Sequence, residues 1–306
     1  MLTAPPALHA TSPQAERTLR PSFFGAVRGE ALKLSRQLSF WLTLVGGAVL
    51  LAVIVLAISG ATGLKESLLA NPTAWAYNML DVFGTVFQIG SAIVLLIFGA
   101  RLIGMEYSSG TIRIAYARGA GRLRLLLAKL FTLAGVGVAL LAGYLIVTGI
   151  ILALMIASLS GGFDPVRQIT NAFWDDLARW GLVQGMSMGM AILLAAAAAG
   201  LGRSLAFAIA AALAFYPADN FLNILEILAI RATGHDQPWI AISQYQLGPN
   251  LNVVLNLIEP SHHSRPAFAS PLAAVDATHA LLVIGAFALV FAAVAVLRTV
   301  RPDVLE

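Results

Sequence analysis

The residues with the most chemistry to offer stand in GMEYSSGTIRIAYARGAGRLRLLLAKL, Gly104 to Leu130, between two long apolar runs. With Arg101 just before it, this stretch gathers six of the nineteen lysines and arginines. Glu106 falls where an apolar helix leaves the bilayer, and a carboxylate there is costly unless it pairs with Arg113, Arg122 or Lys129. Gly110 followed by Thr111 can end one helix and cap the next, since a threonine oxygen accepts from a free amide two or three residues on. Such a paired elbow can transmit force. In the plainer reading the charges only enforce topology and bind anionic headgroups. Topology alone, however, asks for no Glu, Gly or Thr at fixed spacing.

A second group is Asp219, Asn223 and Glu226 in FYPADNFLNILEIL, which share one helical face. Buried acids are expensive, so within a span they would line a cavity or a polar contact and become candidates for a translocation path. Ser204 to Pro217 covers only about 21 Å of helix, short of a hydrocarbon core of about 30 Å. The run therefore either crosses with a kink at Pro217, or bends there and leaves the acids solvated at the interface. His262 and His263 are adjacent and lack any companion at metal-ligand spacing, so they do not read as a metal site. No phosphate loop of the form G-x-x-x-x-G-K-[ST] occurs, and no Ser, His and Asp grouping can be assembled, so the sequence offers no catalytic, metal or cofactor site of its own.

These residues are held by a chain of 306 residues, 59% hydrophobic and 11% charged, against about 25% charged in soluble domains. Its mean hydropathy of +0.84 and recurrent apolar runs of about 20 residues make it an integral membrane protein. The expected fold is an all-α bundle of six transmembrane helices, over about 40–59, 83–104, 126–157, 179–201, 204–230 and 276–297. Residues 1–20 read as a disordered cytosolic tail and 21–306 as one transmembrane domain. With no cysteine there is neither a disulfide framework nor a thiolate metal site.

Placing the amino terminus inside puts 14 basic residues on the cytoplasmic side and five outside, which predicts cytoplasmic termini and an even number of spans. Before the first span, Phe23, Val27, Ala31, Leu34 and Leu38 form the apolar face of an interfacial helix. Glu30 falls at the edge of that face. It either reaches sideways to water, Arg28 or Lys33, or pairs with a basic residue of the elbow. Trp75, Tyr77, Trp174 and Trp180 are expected to anchor at the membrane interface. Gly181, Gly185 and Gly189 form a strip for close helix packing, within the bundle or between two chains.

The pattern E-x-x-x-G-T-x-R from Glu106 to Arg113, followed by Arg122 and Lys129, resembles the signature of ABC-2 type transporter permeases. Three positions depart from it: Gly119 stands for the usual Pro, Gly121 for Ser and Tyr116 for Leu. The amphipathic helix with Glu30 and Lys33 is also similar to the family's amino terminus. The resemblance implies a permease subunit, not itself an enzyme, whose cytoplasmic helix between spans 2 and 3 couples to a separate ATP-binding subunit through Glu30, Glu106, Gly110, Thr111, Arg113, Arg122 and Lys129. ATP and Mg would be held by that cytosolic partner. A second permease copy or a paralogue and membrane lipid complete the implied partners, with no nucleic acid, in a plasma-membrane exporter. The rival reading is a non-transporting membrane anchor, sensor or assembly protein with the same bundle.

Overall fold

The computed structural model describes residues 22–111, 121–258 and 268–300. The expected tail at 1–20, Arg113, and His262 and His263 lie outside them. The described helices are α1 (Phe23–Ser35), α2 (Leu38–Ser59), α3 (Leu64–Ala70), α4 (Pro72–Ser108), α5 (Arg122–Ser160), α6 (Asp164–Arg167), α7 (Asn171–Gly202), α8 (Leu205–Thr233), α9 (Gln237–Ser243), α10 (Leu247–Ile258) and α11 (Ala277–Val300). Six of them, α2, α4, α5, α7, α8 and α11, are long and apolar enough to cross a membrane.

Local chemistry explains several boundaries. Ser22 Oγ accepts from Gly25 N at the start of α1, and Asn71 Oδ1 accepts from Ala74 N just ahead of Pro72, whose missing N–H costs nothing at a first helical position. The α8 helix, capped by Ser204, runs unbroken through Pro217 for 29 residues, or about 43 Å. Its length settles the alternative left open by the sequence, because the chain does not turn back at Pro217.

The core sits around α7, whose AAAAAG segment is buried among α4, α5, α8 and α11. Small residues set the spacing. A Cβ added at Gly99 of α4 would lie 2.7 Å from Ala195 Cβ of α7, and one at Gly104 would lie 3.1 Å from Leu205 Cα of α8. These close approaches involve α4 glycines, whereas Cβ atoms at Gly181, Gly185 and Gly189 would meet no described atom within 4 Å. The α7 strip therefore makes no close helix contact among the described residues, with Gly185 exposed and Gly181 and Gly189 half-buried. The α2 helix lies at the edge, held by Phe40 stacked on Phe98 at 5.5 Å and by Leu51 against α3, α4 and α5.

The interfacial aromatics also need correction. Trp75, Tyr77 and Trp180 are buried, and only Trp174 is exposed. Because α4 begins at residue 72 and α7 at residue 171, well before the expected spans, these rings fall on inward helical faces. There Tyr77 donates to Asp176 at 2.7 Å, and Asp176 also accepts from Arg179 at 2.6 Å.

Candidate functional site

At the end of the bundle where α4 leaves and α5 begins, four charged side chains close a ring. Lys129 Nζ lies 2.9 Å from Glu30 Oε2 and 2.9 Å from Glu106 Oε1, while Lys33 Nζ lies 2.8 Å from Glu30 Oε1 and 3.0 Å from Glu106 Oε1. Charges alternate around it and sum to zero. Lys129 also donates to Leu102 O at 2.9 Å, so its three N–H groups are all used in a position where the side chain is 4% exposed. Isolating either charge there would cost several kcal/mol, of order 3–5. Partial burial pulls the Lys33 ammonium down, but its hydrogen bonds to Glu30 and Glu106, with their charges, outweigh this and hold it above the usual lysine range.

The ring joins three elements that are far apart in sequence. The α1 helix is seated on α5 by Phe23 against Phe131, with ring centroids 5.9 Å apart, and by Thr132 Oγ1 donating to Val27 O at 3.3 Å. Both readings of Glu30 are realised together, since it pairs with its neighbour Lys33 and with Lys129 of the elbow. Two turns past Leu102, Gly110 takes the left-handed conformation (φ 69°) and ends α4, as its place in the sequence predicts. The Thr111 hydroxyl lies 2.9 Å from Ser109 Oγ. Arg122 is not part of the ring and donates to Val300 O of α11 at 3.2 Å.

Two contacts that sequence reasoning missed carry this end of α4 to α8. Leu205 N donates to Ser108 Oγ at 2.9 Å, and Gly104 lets the two backbones nearly touch. An exposed serine at the last position of a helix carries no signal of such a long-range cap.

On α8, Asp219, Asn223 and Glu226 share a face and are buried. They point at the segment formed by α9, α10 and the stretch after it: Asp219 accepts from Gly248 N, Glu226 Oε1 accepts from Gln246 Nε2 at 2.6 Å, and Asn223 donates to Ser270 O at 3.0 Å. A neighbouring cavity of about 370 Å³ opens between α4, α7, α8 and α10, with Gln88, Ser187, Tyr216 and Asn252 among mostly apolar walls. No cluster of His, Cys, Asp or Glu suited to a metal ion occurs among the described residues.

A family model described as ABC-2 family transporter protein matches residues 26–218, more than half of the chain. The chain belongs to the ABC-2 transporter family. This makes it a multi-pass membrane protein and a permease component of an ABC transporter. No curated protein matches the ABC-2 chain. The matched segment contains the whole ion ring, Gly110, Thr111 and Arg122, and ends inside α8 one residue before Asp219. The carboxylates of α8 and the α9–α10 segment thus lie in the part of this ABC-2 protein beyond the match.

Proposed function

We propose that this chain is the membrane-spanning half of an ATP-driven exporter in the plasma membrane. It works with a second permease, a copy or a paralogue, and with two cytosolic subunits that hold ATP and Mg. The bias of 14 basic residues to one side supports cytoplasmic termini and, with them, a ring at the cytoplasmic face. The observation that carries the reading is the closed ring of Glu30, Lys33, Glu106 and Lys129, which makes α1, the end of α4 and the start of α5 one body. Force applied by a closing ATP-binding subunit to the segment between Gly110 and Arg122 would move α1 and, through Ser108 and Gly104, the start of α8.

Asp219, Asn223 and Glu226, with the adjacent cavity, are then the residues by which a moving α8 would open or close the path. Family membership supports a transport role, and the lack of a phosphate-binding loop in the sequence supports a separate ATPase. The test is purification from the native membrane followed by assay of bound ATPase. An ATP-binding subunit is expected to copurify with the wild-type protein. Glu106→Gln, which leaves Lys33 and Lys129 paired with Glu30, is expected to keep the folded chain but uncouple ATP hydrolysis from export. A protein that never copurifies with an ATPase would be an anchor rather than a permease.

A further inference from the structure

Away from the ring and from the cavity beside α8, a crevice of about 260 Å³ lies between α4, α5 and α7 in the half of the bundle opposite the ring. The helices α5 and α7 touch at Gly137, where an added Cβ would sit 3.6 Å from Met188 Sδ, and they part beyond it. Met79, Phe83, Leu152, Ile156 and Leu177 form apolar walls. Gly84 lets the Trp180 ring lie against the α4 backbone as a floor. Trp75 and Gly84, nine residues apart on α4, both line the crevice, so its depth is about 14 Å, close to one leaflet of a hydrocarbon core about 30 Å thick. The mouth is at Leu145 and Gly149 of α5 and at Trp174 of α7, all exposed, and Gly149 has no neighbour that would obstruct a side chain there.

One feature distinguishes this crevice from ordinary loose packing. Trp75 is 2% exposed, yet its Nε1–H has no acceptor among the described residues. A buried donor without an acceptor in an apolar setting is costly, and water does not stably fill an apolar cavity. The Tyr144 hydroxyl, also in the wall, donates to Phe83 O at 2.6 Å. The missing partner is therefore a hydrogen-bond acceptor carried at the shallow end of a long apolar molecule that can enter sideways from the bilayer. Arg167, exposed beside Val166 on the rim, offers a cation to a phosphate.

We infer that this crevice holds one acyl chain of a membrane glycerophospholipid as a resident ligand, its ester carbonyl accepting from Trp75 Nε1. The chain runs past Thr148 toward Tyr144 and Trp180, and the headgroup stays at the rim. The site is separate from the proposed path along α8 and does not depend on the coupling role of the ion ring.

The test uses the full-length protein in nanodiscs containing equal amounts of diester and diether phosphatidylcholine with matched chains. Lipid retained after release into mild detergent is counted by native mass spectrometry. The wild type is expected to keep the diester lipid about fivefold better, the effect of one neutral hydrogen bond. Trp75→Phe should level the two, which general damage to packing would not do. Gly149→Leu, whose side chain has room, should remove both lipids while the protein stays monodisperse. Equal retention of the two lipids by the wild type, undiminished retention by Gly149→Leu, or a non-lipid apolar molecule in place of phospholipid would overturn the inference.

Discussion

Lys129 Nζ of α5 donates to Glu30 Oε2 of α1 at 2.9 Å, across 99 positions of sequence and with both side chains 4% exposed. Burial makes this pair asymmetric, since removing one member strands the other. Lys129→Met is therefore expected to destabilise the bundle by about 3–5 kcal/mol, read as an earlier thermal transition in detergent. Glu30→Gln with Lys129→Met should recover much of that loss, because Lys33 then compensates Glu106 alone. A double variant no more stable than Lys129→Met would show that the ring is not what fastens α1.

The pH dependence follows from Lys33. Its folded pKa is raised above 10.5, so the stability it lends is fully present below that value and is lost as pH rises through the higher folded value. Between pH 6 and 9 its contribution stays constant. Release of α1, followed by proteolysis between α1 and α2, is expected only above the ordinary lysine range. Lys33→Met should remove that alkaline step, and an unchanged alkaline profile in the variant would assign the step to another group.

The α4–α8 crossing at Gly104 gives a packing prediction. A Cβ there meets Leu205 Cα at 3.1 Å and Ala208 Cβ at 3.3 Å, and the first is backbone that cannot swing aside. Gly104→Val should cost about 1–3 kcal/mol in unfolding experiments. Gly185→Val, on the open strip of α7, should leave the isolated chain's stability nearly unchanged, which separates a glycine needed for packing from one that is not.

The same comparison shows what the sequence could disclose. The spans were legible because an apolar run of bilayer length has few other uses, and Glu106 with Lys129 was legible because a carboxylate in that place demands a cation. The early starts of α4 and α7 were not, because polar Asn78, Asp81, Asp175 and Asp176 interrupt the hydropathy while still lying on packed helices. Trp75 and Trp180 were consequently expected at the interface rather than inside. The α9–α10 segment was hidden for a related reason: Asn250 is fully buried by donating to Gln244 O and Gln246 O, a local turn that pattern reading scores as a polar loop.

Glu226 offers the sharpest test of what the α8 carboxylates do. Its Oε1 accepts from Gln246 Nε2, but Oε2 has no hydrogen-bond partner among the described residues. Glu226→Gln removes a charge and can keep one polar contact, so stability is expected to hold or rise slightly. Gln246→Leu leaves the carboxylate without its donor and should cost about 1–3 kcal/mol, with faster hydrogen exchange across α10. If α8 drives the path through this contact, Gln246→Leu should also slow export while ATPase association stays intact. Export at the wild-type rate, with α10 demonstrably loosened, would reduce Glu226 and Gln246 to a clamp on the α9–α10 segment and move the path elsewhere along the cavity.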